Sequence, residues 1–365
     1  MTSTTVARPL RILAVGPGPA SPVSRGGMAT VMTEMIELGE SPSAPVKFTV
    51  VATYLDLPRF RKRINGVVGM LRSTCYVAAG RADLLHIHLS HGGSIFRKSM
   101  PIFMARLRGV PVVIHAHSYN FAAWYRGTGR PMRSAVRAVL RGADRWLILG
   151  NDLAVEYTEV LDLDPKRVQV LHNPAPAPSV TAPDPHGPVV GVGLGRLGQR
   201  KGTYDIIDAV RRLDEQTRAR IHIVLAGDDE VEQARAAAAD LDCVEIRDWI
   251  GPDERDELLS RATFFLLPSY DEGLPMALLE ALAAGLVPIV TPVGAIADVV
   301  TSGNNGYLVT PGDTAAIADA IAEIVADPAH TAHLSAAAAA TADDFSLENW
   351  HAELLKVWTE VLAER

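Results

Sequence analysis

The chain has 365 residues, 48% hydrophobic and 21% charged, with two cysteines and a net charge of −7. That length suits two domains of about 150–200 residues each; Cys75 and Cys243, at unrelated spacing, make neither a disulfide framework nor a cysteine-based zinc site and point to a reducing cytoplasm. The mean charge hides a split: residues 1–187 carry 22 Lys+Arg against 12 Asp+Glu, and residues 188–365 carry 13 against 30.

Taken in chain order, short β-rich apolar runs alternate with longer amphipathic stretches, the pattern of parallel sheets with crossover helices. In the first half, strands are predicted at Leu10–Val15, Val46–Ala52, Asp83–His88, Pro111–His115, Arg145–Leu149 and Val168–Leu171. Helices are predicted between them at Met28–Leu38, Arg59–Ala79, Ile95–Arg108, Arg133–Arg141 and Asp152–Leu161. The opening run Leu10–Val15 is too short for a signal-peptide core, and nowhere does the chain reach the roughly 18 uninterrupted apolar residues of a membrane span. Residues 174–188 hold six prolines in fifteen positions, which excludes a helix or central strand and reads as an extended linker. A second series follows. Its strands are Val189–Leu194, Ile221–Ala226, Val244–Arg247, Thr263–Leu267, Val287–Val290 and Gly306–Val309; its helices are Tyr204–Leu213, Val231–Ala239, Asp253–Arg261, Pro275–Ala284 and Ala315–Ala326. The tail Leu347–Leu362 carries a helical apolar stripe through Trp350, Leu354, Leu355, Trp358 and Leu362. The expected organisation is therefore an N-terminal Rossmann-like domain over 1–174, completed by the helix within 347–365, a linker over 175–188, and a C-terminal domain over 189–346. Two doubly wound domains of this kind bind ligands in a cleft at the carboxyl ends of their strands.

The densest chemistry begins at Gly193, in GLGRLGQRKG. A strand ends, a glycine-rich turn follows, and Lys201-Gly202 opens a helix. Arg196 and Lys201 are placed to reach one anion near a helix start, where unpaired N–H groups already favour negative charge. Two cations and a helix start suit a diphosphate; an ordinary turn with surface cations is the plainer alternative. The second segment is SYDEGLPMALLEALAAG, with Glu272 and Glu280 seven residues apart. Glu280, in the second turn of its helix, suits the cis-diol of a ribose, because a carboxylate accepts two hydrogen bonds. Glu272, in the loop, suits sugar hydroxyls. The N–H groups of Met276 and Ala277 point out of the helix start toward a phosphate.

These segments, with VLHNP at the linker entrance and the run TPVGAIADVVTSGNNGYLVTPGD, resemble the retaining glycosyltransferases of family 4, which have the two-domain GT-B fold. The resemblance covers nearly the whole chain and is looser in its first half. It implies that Arg196 and Lys201 bind a donor diphosphate, that Glu280 binds the ribose, and that Glu272 lies against the donor sugar near the reacting carbon, with Gly273, Leu274, Met276 and Ala277 completing the donor loop. It also implies that Gly26 and Gly27, in SRGGM, form a glycine-rich loop on the acceptor side that approaches the phosphates. The family has a histidine contacting the donor sugar, and His117 in VVIHAHSYN is its match. The implied donor is a UDP- or GDP-sugar, with no further cofactor and no metal.

His86/His88 and His115/His117 form two His-x-His pairs at predicted strand ends, each on one side of its strand. Zinc is the obvious reading of such pairs; the resemblance and the lack of an accompanying acidic cluster argue for hydrogen-bonded strand-end histidines. No role is assigned to His86, His88 or His91. The aromatic run FAAWY (121–125) is open between a lid, an acceptor platform, a lipid-facing patch and ordinary packing. From Arg59 to Arg141 there are 15 basic residues and one acid, Asp83. This is either a solvated surface balanced by an acidic domain or a face attracted to an anionic membrane. Helix 59–79, with four early cations ahead of apolar residues, could lie on a membrane surface or pack as an ordinary helix. Nucleic acid is a poor partner for an acidic chain without aromatic-interleaved basic motifs. The expected function is transfer of a hexose to a lipid-linked saccharide or glycolipid, in the cytoplasm and at the inner face of a membrane. A soluble acceptor, a non-catalytic nucleotide-sugar-binding protein, and a phosphorylase or epimerase on the same fold are the alternatives.

Overall fold

The computed structural model describes residues 8–41, 44–175 and 187–364. Most of the proline-rich linker, residues 176–186, lies outside them. The chain divides into two compact units, Met1–His172 with Glu348–Arg365, and Asn173–Leu347.

The first unit is one parallel six-stranded sheet: β1 (Leu10–Pro17), β2 (Val46–Tyr54), β3 (Leu84–Leu89), β4 (Val112–Ala116), β5 (Arg145–Ile148) and β6 (Val168–Val170), in the order β2-β1-β3-β4-β5-β6. Its helices are α1 (Gly27–Glu37), α2 (Arg59–Ala78), α3 (Gly93–Arg108), α4 (Phe121–Gly127), α5 (Arg130–Leu140) and α6 (Asn151–Leu161). Strands β3, β4 and β5 are buried at every position. That is why they read as unbroken apolar runs, as strands covered on both faces do.

The second unit is a parallel sheet of β7 (Val189–Leu197), β8 (Ile221–Asp229), β9 (Val244–Arg247), β10 (Phe264–Leu267), β11 (Val287–Val290) and β12 (Tyr307–Leu308), ordered β12-β11-β10-β7-β8-β9. The helices are α7 (Thr203–Arg212), α8 (Glu215–Arg218), α9 (Val231–Ala237), α10 (Pro252–Arg261), α11 (Met276–Ala283), α12 (Thr314–Ala326) and α13 (Pro328–Asp343). Strand order reverses between β7 and β10, and in such sheets the ligand crevice lies outside the carboxyl ends at that switch point. The segment GLGRLGQRKG closes β7 and runs past it, and PSYDEGLP follows β10.

The last helix, α14 (Leu347–Ala363), belongs to the first unit apart from its first residue. Trp350, Leu354, Val357, Trp358 and Val361 are buried there. His351 Nε2 lies 2.7 Å from the Glu34 carbonyl, and Arg145 pairs with Glu360 and Glu364. Three helices were not foreseen: α4, the single turn α8 and α13. FAAWY is the helix α4 rather than a loop, with Phe121 and Tyr125 buried and Phe121 stacked on Tyr157 at 4.5 Å. It packs into its own unit, and only Trp124 is left half-buried between them. The alanine-rich α13 covers α11 and β11.

Candidate active site

In the second unit β7 runs on to Leu197, pairing with β8 as far as Asp229. A single 3₁₀ turn, Gln199–Lys201, then leads to α7. Gly202 closes that turn at φ 72°, and a Cβ there would overlap the Pro268 carbonyl. Only glycine lets the turn lie against the end of β10. This close approach sets Lys201 beside the loop after β10. Its Nζ forms a short ion pair with Glu272 Oε1, which also accepts from Ser269 Oγ at 3.1 Å. Arg200 clamps the same loop, donating to the Asp271 carbonyl at 3.0 Å. Burial lowers the Lys201 pKa, and Glu272 works against that shift. Lys201 and Glu272, assigned by sequence to different parts of a donor, thus form one pair. An ammonium has three N–H groups, so Lys201 can hold this carboxylate and still donate elsewhere.

Arg196, one residue before the end of β7, has its side chain 61% exposed; Asp228, its register partner on β8, approaches to 3.9 Å. Pro275, φ −71° and ψ 130°, precedes α11 as its cap instead of opening it. Leu278 and Leu279 make the first helical bonds, to the Pro275 carbonyl, so the N–H groups of Met276 and Ala277 come before the ladder. The Leu274 and Met276 side chains are buried. The loop is fixed from two sides: Asn173 of VLHNP donates to the Leu274 carbonyl at 2.7 Å, and Ala295 N–H to the Gly273 carbonyl at 2.8 Å. Gly294, at φ 62°, lies so close to the Glu272 and Gly273 carbonyls that a Cβ would overlap both. Glu280 is 7% exposed and paired with Arg255 Nη1 of α10 at 3.1 Å. Burial raises its pKa and Arg255 opposes the shift.

In the first unit Gly26, at φ 93°, caps α1, and Gly27 opens it. Ala29 and Thr30 make the first bonds to the Gly26 carbonyl, leaving two N–H groups at that start ahead of the ladder. His117 is partly buried just past β4. Its Nε2 lies 2.9 Å from His88 Nδ1 and its ring 4.2 Å from that of His115. Burial holds His86, His88 and His117 far below the usual imidazole range, and His115 down to about 3. All four are neutral near pH 7. His91 pairs with Ser118 Oγ at 2.7 Å. Lys98, 2% exposed and bonded to Ser94 Oγ at 2.7 Å, is pushed down to about 7 by burial beside this cluster.

His86, His88 and His115 bring one nitrogen each within 4.8 Å of one another. Trp358 Nε1, which can only donate, lies 3.1 Å from His86 Nδ1. Neutral His86 then carries its proton on Nε2 and has no lone pair there for a metal. The donor set does not fit zinc in this arrangement.

Sequence reasoning missed Arg255, Ser269, Asp228 and Lys98. Ser269 had a signal, standing three residues before Glu272 at a strand end. The others are chosen by tertiary neighbours.

The chain matches the family model described as "Glycosyl transferase 4-like domain" over residues 10–174 and that of "Glycosyl transferases group 1" over residues 183–341. It is 30% identical over 293 residues to the alpha-maltose-1-phosphate synthase of Mycobacterium tuberculosis, covering 69% of this chain and 72% of that one. It is 25% identical over 323 residues to the D-inositol 3-phosphate glycosyltransferase of Streptomyces scabiei, covering 80% and 71%. Among solved structures, Anabaena HepE in complex with UDP-glucose aligns at a TM-score of 0.73 and 15% identity over 96% of this chain and 100% of that one, a likeness of fold. Two matched segments in this order, each on its own parallel α/β sheet, make the chain a member of the family 4 glycosyltransferases with the GT-B fold.

Proposed function

We propose that this chain is a retaining, metal-independent hexosyltransferase that takes its sugar from a UDP- or GDP-sugar and passes it to a hydroxyl of a lipid-linked saccharide. The observation that carries the reading is the convergence of Lys201, Glu272 and the start of α11 on the switch point of the second sheet. As the glycosidic bond breaks, negative charge grows on the departing diphosphate. Arg196, Lys201 and the N–H groups of Met276 and Ala277 stabilise it there. One well-aimed donor of this kind contributes about 2.7–4 kcal/mol. Glu272, carrying Lys201 on one side, holds sugar hydroxyls through its remaining acceptor positions, and Gly273 and Leu274 give the loop its shape. Glu280 takes the ribose diol. His117, neutral, is the first unit's hydrogen-bonding contribution to the sugar, and the Gly26–Gly27 helix start serves the phosphates. The acceptor attacks on the face the diphosphate leaves, and the leaving phosphate oxygen takes the acceptor's proton, so the anomeric configuration is kept. The expected division of labour is a donor domain over 189–346 and an acceptor-side domain over 1–174, acting at the inner face of a membrane; no helix among the described residues is long and apolar enough to cross one.

A thermal-shift panel of UDP, GDP, ADP and their sugars tests the donor. A bound nucleotide at 100 times its Kd adds about 2.7 kcal/mol of stability. Lys201→Ala and Arg196→Ala should each lower kcat/KM on the order of 100-fold or more. Wild-type turnover in both removes the diphosphate assignment. A soluble acceptor is the second reading, favoured by the similarity to a glycosyltransferase named for D-inositol 3-phosphate. Transfer to a free sugar phosphate or cyclitol, with none to a lipid-linked saccharide, would select it.

A further inference from the structure

Helices α2 and α3 pack against each other on one layer of the first unit, α2 over β2 and α3 over β3 and β4. Their buried sides are filled by Gly66, Gly69, Met70, Ser73 and Val77 on α2, and by Ser94, Ile95, Pro101, Ile102 and Ala105 on α3. A second set of large apolar side chains is on the other side. On α2, Phe60, Ile64, Val67 and Leu71 recur at helical spacing and are 47–75% exposed, with Val68 beside them at 54%. On α3, Phe96, Met100, Phe103 and Leu107 repeat the same spacing at 41–69%. Nine of the fourteen exposed large hydrophobics among the described residues therefore lie on two adjacent helices. Both stripes stand opposite the buried sides of their helices, so both look away from the sheet.

Exposed apolar groups scattered singly need no explanation, but a contiguous patch on a soluble surface marks an interaction site. The charge of the two helices selects the occupant. Neither contains an Asp or Glu. Arg61, Arg63 and Arg72 flank the stripe on α2, and Arg106 and Arg108 stand at the end of α3, all exposed. A second copy of the chain would meet this face with the same face, since a two-fold interface is self-complementary, and would set cations against cations. An anionic bilayer accepts both features: aromatic and aliphatic side chains enter the acyl boundary while arginines bind lipid phosphates. We propose that the α2–α3 face is the surface by which this protein docks on an anionic lipid bilayer, lying in the interface without crossing it. This deepens the lipid-linked acceptor reading and rests on it for its biological purpose, though not for its chemistry.

Flotation with phosphatidylcholine vesicles, with and without about one third phosphatidylglycerol, tests the proposal on the full chain. The wild type should float with the anionic vesicles at low salt and stay in solution with the neutral ones. Phe96→Ser with Phe103→Ser should weaken anionic-vesicle binding at least about tenfold, since the apolar contact is half of the attraction. Arg61→Gln with Arg63→Gln and Arg72→Gln should do the same and flatten the salt dependence. All five positions are solvent-exposed, so both variants should keep the wild-type melting temperature. No binding by the wild type overturns the proposal, as does binding that both variants retain. A wild-type dimer that Phe96→Ser with Phe103→Ser converts to monomer, without vesicle binding, also overturns it and assigns the face to a second copy. Nucleotide binding measured on the same samples separates the two readings. Loss of flotation with nucleotide binding intact removes the docking face alone. Flotation without any nucleotide binding removes the transferase assignment and leaves the face standing.

Discussion

Glu280 is a carboxylate at 7% exposure whose ionisation depends on one neighbour, Arg255 at 3.1 Å. Burial alone pushes a carboxyl pKa up, and an adjacent guanidinium pulls it back. In the proposed role a ribose diol donates hydrogen bonds best to the ionised form, and on that proposal Arg255 is a positioning residue for Glu280. Arg255→Met should let the Glu280 pKa climb further, so part of the carboxyl is protonated where the wild type is ionised. Nucleotide affinity should drop about tenfold, the cost of one hydrogen bond to a charged group, and should recover as pH rises through the raised pKa. Arg255→Lys should restore most of it. Calorimetric titration of the nucleotide across pH decides the matter: wild-type affinity with a flat pH profile in Arg255→Met excludes this role. The pairing was not legible in the sequence. Arg196, Lys201, Glu272 and Glu280 could be picked out because they stand at fixed offsets from strand ends and glycine turns, which local rules describe. Arg255 reaches Glu280 from a different helix 25 residues earlier, and Lys98 lies on a face that only the packing of α3 buries.

At the scale of elements, all twelve strands were legible: the buried ones are short apolar runs between turn residues, and the half-buried β6, β9 and β12 are short β-branched or aromatic-bearing segments in the same alternation with helices. Helices with an apolar stripe were legible for the same reason. Helix α13 was not: PAHTAHLSAAAAATAD has alanine on every side, so no face stands out and periodicity fails. Its signal was at its start. Asp327 accepts hydrogen bonds from the N–H groups of Ala329 and His330 at 3.1 and 2.9 Å, with Pro328 in the first turn. This is the expected N-cap chemistry. Asp327→Ala should cost about 1 kcal/mol, read as a lowered urea midpoint at unchanged slope, while Asp327→Asn should cost much less. Equal losses in the two would mean that the cap is not what holds the helix. The helix has consequences beyond itself, because Ser335 donates to the Gly285 carbonyl at the end of α11, the helix that carries Glu280.

At the scale of the molecule, the first unit carries its own acid sensitivity. The first holds His86, His88, His115 and His117 in neutral form, all with pKa values depressed by burial from 6.5. The unfolded chain would protonate them near 6.5 while the folded unit does not. Their contribution to stability is therefore complete above 6.5 and lost as pH falls below it. Each costs up to about 1.4 kcal/mol per pH unit, so one unit of acidification removes up to about 5 kcal/mol, comparable to the whole stability of a modest domain. Four of the five tryptophans, Trp124, Trp146, Trp350 and Trp358, belong to the first unit, and Trp358 touches His86 directly. Tryptophan emission should accordingly begin its unfolding shift between about pH 6 and 5, ahead of the range in which ordinary carboxylates titrate. His115→Leu removes a buried imidazole with two unpartnered nitrogens and should move that midpoint to lower pH. A wild-type transition near pH 4 that His115→Leu leaves in place would mean that the histidine cluster does not govern the acid response of this unit.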